Sequence, residues 1–194
     1  MPLNRAVFFD RDDTLIINVP YLGDPAQVRL MPGAREATAR LAKAGFLLIL
    51  TSNQSGVGRG LITKDQVHAV NQAMLDRLYP VTFTGIYCAY GQPGEPQADA
   101  ERKPSPYLLE WAAREHSIDL SASFMIGDRG SDAEAGSRAG TRSILLLNGR
   151  SAAALAKETA HADYLATDLN AAADWILETS LGPDSSGMQD SYQR

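Results

Sequence analysis

Five short apolar runs, at residues 6–9, 46–50, 85–88, 123–126 and 143–147, constrain this chain more than any other feature. They are continuous rather than alternating, as strands are when both faces of a parallel sheet are covered. The stretches between them repeat apolar residues at helical spacing. Pro32-Gly33 opens a predicted helix over 34–44, where Ala37, Leu41 and Ala44 share a face and Gly45 supplies the stop. Thr63-Lys64-Asp65-Gln66 reads as a capping box launching Val67, Val70, Met74 and Leu78. Further helices are expected over 107–115, 132–139, 152–159 and 169–178. Strand–helix alternation of this kind predicts an α/β fold with a doubly wound parallel sheet.

Two segments depart from that rhythm. Residues 91–102 (GQPGEPQADAER) are polar, carry two prolines and are expected to be a loop. Residues 182–194 are poor in apolar side chains and read as a disordered polar tail. A chain of 194 residues with 44% hydrophobic content can bury one sizeable core, so a single domain over 1–181 is expected.

The net charge of −5 makes a phosphate backbone or an anionic lipid surface an unfavourable partner, so neither nucleic acid nor membrane binding is expected. One cysteine, Cys88, excludes an internal disulfide and a closed zinc site of several thiolates. Residues 1–5 lead straight into the first apolar run, and the longest run is far short of the roughly 20 residues that span a bilayer. These features predict a soluble, cytoplasmic protein, expected to act as a monomer.

In an open α/β sheet, ligands bind outside the carboxyl ends of the strands. After the first run comes Asp10-Arg11-Asp12-Asp13-Thr14, and after the second Thr51-Ser52-Asn53-Gln54-Ser55-Gly56-Val57-Gly58-Arg59-Gly60. Arg102-Lys103-Pro104 precedes the helix expected over 107–115, and Gly127-Asp128-Arg129-Gly130-Ser131-Asp132 follows the fourth run. Each piece alone is an ordinary turn; the ordered set at one sheet edge is not. Crowded carboxylates repel, and a hard oxygen-seeking cation such as Mg²⁺ relieves them. Lysine, hydroxyls and glycine-rich backbone suit the oxygens of a phosphate. One Asp can attack phosphorus, and a second Asp two residues on, which alternation places on the same side, can move the proton.

The sequences DRDDTL, TSNQSGVGRG, RKPSP and MIGDRGSDAEAG resemble the four motifs of the haloacid dehalogenase superfamily, whose core is Rossmann-like. Within it they are similar to the branch of heptose bisphosphate and histidinol-phosphate phosphatases, and the likeness runs from about residue 6 to residue 177. The resemblance implies Asp10 as nucleophile and Asp12 as general acid and base. It implies Thr14, Ser52, Asn53, Gln54 and Lys103 around the phosphate, with Arg59 and Arg102 as further substrate contacts. It implies Mg²⁺ held by Asp10, the backbone carbonyl of Asp12 and Asp128, with Asp132 behind it or bound through water.

Two departures from the branch stand out. Asp13 replaces a usual glycine and is expected to face solvent as a charge at a helix start. The region around residues 88–102 lacks the Cys and His set that holds zinc in many relatives, so no structural zinc is expected. There is no room for a large cap domain, which leaves residues 17–30 and 91–102 to control access. The expected reaction is hydrolysis of a small phosphate monoester, foremost heptose 1,7-bisphosphate and alternatively histidinol phosphate or another sugar phosphate. A receiver-like or phosphate-binding module is the reading from a different class.

Overall fold

The computed structural model describes residues 3–180. Its strands are β1 (Ala6–Phe9), β2 (Leu47–Asn53), β3 (Gly85–Ala89), β4 (Phe124–Gly127), β5 (Arg142–Leu146) and β6 (Tyr164–Ala166). They form one six-stranded sheet in the order β3-β2-β1-β4-β5-β6, with every neighbouring pair parallel. The chain winds outward from β1 to β3, then returns to the other side of β1 at β4. That reversal opens a crevice at the carboxyl ends of β1 and β4.

Among the described residues there are seven helices: α1 (Ala34–Lys43), α2 (Ser55–Gly58), α3 (Lys64–Leu78), α4 (Pro96–Glu101), α5 (Tyr107–His116), α6 (Gly130–Ala139) and α7 (Leu169–Ser180). Val7, Phe9, Leu48, Leu50, Phe124 and Ile126 pack on one face with Leu41, Met74 and Ile176 from α1, α3 and α7. Their strand neighbours Ala6, Phe8, Ile49 and Met125 pack on the other with Leu109, Ala112 and Ala135 from α5 and α6. Both faces are buried, which is why the strands read as unbroken apolar runs. The Thr63 hydroxyl accepts from the Gln66 amide at 3.1 Å and the Gln66 side chain accepts from the Thr63 amide at 2.8 Å, the predicted capping box.

The structure corrects several expected boundaries. β2 runs on through Thr51, Ser52 and Asn53, which pair with Tyr87, Cys88 and Ala89 of β3, so these three residues belong to the strand rather than follow it. The expected loop over 91–102 contains α4, opened by Pro96, whose fixed φ suits a first turn, and seated by buried Ala98. The helix expected over 152–159 is a run of turns ending in a short 3-10 turn at Thr159–His161. There Leu155 is the one buried residue, too little apolar surface to hold a helix down. β6 was not anticipated, because three residues without a flanking turn signal carry almost no strand pattern. The tail expected over 182–194 lies outside the described residues. No helix among the described residues is long and apolar enough to cross a membrane.

Candidate active site

The first functional carboxylate is placed by the ladder itself. The Asp10 amide donates to the Ile126 carbonyl at 2.9 Å, so Asp10 continues β1 by one bond into the crevice beside β4. Across it, β4 ends on Gly127, Asp128 follows, and Asp132 lies in the first turn of α6. A Cβ on Gly127 would lie 2.3 Å from that of Asp132, so only glycine lets this helix close so tightly on its strand. Asp10, Asp128 and Asp132 can each bring one oxygen within 4.8 Å of the others.

Lys103 is the cation set among them. Its Nζ lies 2.7 Å from Asp10 Oδ1 and 2.6 Å from Asp132 Oδ1, and it donates to the Thr51 carbonyl at 2.8 Å. A two-way clasp holds the lysine backbone: its amide donates to Asn53 Oδ1 at 3.0 Å, and Asn53 Nδ2 donates to its carbonyl at 2.9 Å. Burial alone would push the ammonium down, but Asp10 and Asp132 hold it above its ordinary value. It therefore stays charged.

Of the three buried acids, Asp10 and Asp132 share the lysine and Asp128 does not touch it. Asp128 Oδ1 is buried without a hydrogen-bond partner, and its Oδ2 lies 3.7 Å from Arg150. Burial, with Asp10 and Asp132 beside it, pushes Asp128 up to about 7; burial also raises Asp132, against the pull of Lys103. An oxygen-only donor set with an orphaned carboxylate oxygen fits a hard divalent cation.

Asp12 faces the same cleft from a different anchorage. Its Oδ1 accepts from Arg11 Nε at 3.3 Å, and its Oδ2 accepts from Arg11 Nη2 at 3.1 Å and from Gln54 Nε2 at 2.9 Å. Burial raises its pKa, opposed by Arg11 and reinforced by Asp10. Asp13 differs from the expected solvent-facing charge at a helix start, because no helix begins there. Its φ of 55° is left-handed, a conformation that glycine adopts freely and aspartate better than most. Its carboxylate accepts from the Asn18 amide and side chain, each at 3.2 Å, and its carbonyl from Asn148 Nδ2 at 2.6 Å.

Asp10, Asp12, Lys103 and Asp132 line a cleft of about 800 Å³ whose walls include Tyr21, Asp99, Arg102 and Arg129. The HAD-hydrolase-like family matches residues 100–172. Over 192 residues the chain is 36% identical to the D-glycero-D-manno-heptose-1,7-bisphosphate 7-phosphatase of Thermosynechococcus vestitus, covering 92% of this chain and 97% of that one. A Photorhabdus laumondii protein of nearly the same name is 37% identical over 159 residues, covering 75% and 81%. The solved D,D-heptose 1,7-bisphosphate phosphatase of B. bronchiseptica, complexed with magnesium and phosphate, superposes with a TM-score of 0.80. It is 26% identical, covering 90% of this chain and 99% of that one. The chain belongs to the haloacid dehalogenase-like phosphatases.

In this phosphatase, Asp10, Asp12, Asn53, Gln54, Arg102, Lys103 and Asp132 all line the cleft. Four of the named residues are not among those lining it: Asp128, which lies beside Asp10 and Asp132, and three that stand apart. Arg59 is exposed at the end of α2 and is not among the cleft-lining residues. Thr14 is fully buried and its hydroxyl has no partner. Ser52 is buried and accepts from Gln54 Nε2 at 2.9 Å. The glycine-rich segment is tied up in part as well: the Gly58 amide donates to the Tyr90 carbonyl at 2.9 Å, and a Cβ there would lie 2.7 Å from the Gln92 nitrogen. Gly58 thus lets two segments touch.

Sequence reasoning gave no role to Arg11, Asn71, Arg129, Asn148 or Arg150. Arg11 and Arg129 sit inside the motifs themselves. Asn71 was visible as a polar residue on the otherwise apolar 67, 70, 74, 78 stripe of α3. Asn148 and Arg150 lie in the turn just after β5, and no local signal marks them.

Proposed function

We propose that this phosphatase is Mg²⁺-dependent and removes one phosphate from a sugar bisphosphate, heptose 1,7-bisphosphate, through an aspartyl-phosphate on Asp10. The observation that carries the reading is the buried triad of Asp10, Asp128 and Asp132 with one lysine and one orphaned oxygen, set beside Asp12. The relatives' names supply the sugar, and a cleft with Arg102 and Arg129 on its walls suits a substrate carrying a second phosphate.

In the first step an Asp10 carboxylate oxygen forms a bond to phosphorus as the bond from phosphorus to the sugar oxygen breaks. Lys103 takes Oδ1 of Asp10, which leaves Oδ2 for the attack. The departing oxygen takes a proton from the Asp12 carboxyl. In the second step Asp12, now a carboxylate, removes a proton from water. The water oxygen bonds to phosphorus, the bond to Asp10 breaks, and inorganic phosphate leaves. Asp10, Asp128 and the Asp12 carbonyl would hold Mg²⁺, which when bound neutralises phosphate charge and quiets the repulsion among the acids. Lys103 supplies fixed positive charge at the same place, already desolvated and so needing no rearrangement as charge develops. One chain provides every group named, so the reading needs no second subunit, and residues 91–102 offer no Cys or His for zinc.

The test is phosphate release from both heptose 1,7-bisphosphate anomers, histidinol phosphate and common sugar phosphates, with and without Mg²⁺. Asp10→Asn serves as the control and is expected to lose on the order of 10⁶-fold in kcat, as removal of a nucleophilic serine does in a protease. Preferred, Mg²⁺-dependent release from one heptose anomer supports the reading. Release only from other esters keeps the chemistry and removes the heptose.

A further inference from the structure

Arg11 stands between Asp10 and Asp12 in sequence and lines the cleft, yet it is only 1% exposed and reaches Asn71 of α3 with one guanidinium nitrogen. Its guanidinium meets three partners. Nε and Nη2 donate to Asp12, Nη2 also donates to Gln54 Oε1 at 3.0 Å, and Nη1 donates to Asn71 Oδ1 at 3.1 Å. Asn71 is itself buried on the core side of α3. The acid side chain keeps 24% of its surface exposed, on the cleft side, while both of its oxygens are gripped from behind.

A buried charge pair of this kind is a weak source of stability, because the cost of desolvating two ions cancels most of their attraction. What it does fix is direction. A carboxyl that must give a proton to a leaving oxygen and later take one from water has to present the same face twice, and free rotation about Cβ–Cγ would spoil both events. The planar fork of arginine prevents that rotation in a way a lysine ammonium does not.

We propose that Arg11, braced by Asn71 on α3, is a positioning residue that fixes the proton-transferring carboxyl of Asp12. The inference rests on Asp12 being the acid, as in the mechanism above. Its signature is selectivity for the leaving group. A sugar alkoxide needs a proton to depart and p-nitrophenolate does not, so misdirecting Asp12 slows the first far more than the second.

The experiment measures kcat/KM, which reports steps up to phosphoryl transfer, for p-nitrophenyl phosphate and for the sugar phosphate turned over fastest. Wild type, Asp12→Asn, Arg11→Lys and Asn71→Ala are compared, each with its thermal midpoint. General acid catalysis spans about 10²- to 10⁴-fold, so we expect Arg11→Lys to lose about 50-fold on the sugar phosphate and about threefold or less on the aryl ester. Asn71→Ala, which leaves the Arg11–Asp12 pair intact, is expected to lose about fivefold on the sugar phosphate alone, and it decides the matter if Arg11→Lys does not fold. Equal losses on both esters in these variants, with Asp12→Asn still selective, overturn the positioning role and leave Asp12 as the acid. An unselective Asp12→Asn removes the acid assignment and the inference with it.

Discussion

The floor of the cleft and its rim are held by different kinds of bond. On the floor Asp10, Lys103 and Asp132 are 8%, 3% and 2% exposed, and Asp128 beside them is 4% exposed. Their contacts join distant parts of the chain: Lys103 reaches Asp10 across 93 residues and Thr51 across 52. On the rim Tyr21 is 46% exposed, and the hydrogen bonds of residues 24–27 and 92–101 link residues two to five apart. Local bonds between exposed groups open at little cost in free energy, whereas the floor opens only if the sheet does. On the proposed mechanism the chemistry resides where geometry is fixed by the fold, and substrate choice is expected where it is not.

The sharpest way to break that contrast is to remove the lysine. Lys103→Met deletes the one cation bridging Asp10 and Asp132 and leaves their charges facing each other in a buried site. Loss of a preorganised charge at a reacting phosphate is expected to lower kcat by about 10³-fold. Stranding the buried acids is expected to cost about 3 kcal/mol in denaturant unfolding. A variant that keeps normal stability while losing activity would mean that the acids are not coupled through Lys103 in the folded protein.

A smaller effect separates the metal from the lysine. The folded pKa of Asp128, about 7, lies above its ordinary 3.8. Its protonated form thus supports the metal-free fold below about pH 4, and that support is withdrawn as pH rises through 7. Mg²⁺ must displace the proton, so its Kd is expected to weaken about tenfold per pH unit below 7, read by calorimetry. Asp128→Asn removes the repulsion and is expected to stabilise the metal-free protein at about pH 8 by on the order of 2 kcal/mol, while abolishing the Mg²⁺-induced rise in Tm. A Kd unchanged between about pH 5.5 and about pH 8 would place the cation elsewhere.

The same contrast decides what the sequence made legible. The floor was readable because buried parallel strands must be continuous apolar runs, and because a sheet edge brings Asp10, Lys103 and Asp128 together whatever covers it. Legibility failed where tertiary contact overrides local pattern. Residues 152–159 have helical composition, but Glu158 is drawn to the Gly130 amide at 3.1 Å and Arg150 to the Asp128 carbonyl at 2.9 Å, contacts that no periodicity encodes. Arg11 and Asn71 are 60 residues apart, and only the packing of α3 on the sheet makes them partners. Ser52 was placed past its strand because a polar Thr-Ser-Asn looks like a turn, although paired to β3 it is the strand's last stretch.

The rim offers the finest test, at Tyr21. Its φ of 53° is left-handed, uncommon for a bulky residue, and its ring lies where a Cβ on Gly56 would meet it at 2.8 Å. A strained aromatic held over the start of α2, on the wall of the cleft, is expected to contact the sugar rather than support the fold. Tyr21→Gly gives up the ring's packing but relieves about 1 kcal/mol of backbone strain, so the net change in stability is expected to stay below about 1 kcal/mol. KM for the preferred sugar phosphate is expected to rise about fivefold with kcat within about twofold, since a wall contact binds ground state and transition state alike. Should kcat fall as far as KM rises, Tyr21 would be helping to orient the reacting phosphate, and the division between a fixed floor and a selective rim would not hold at this residue.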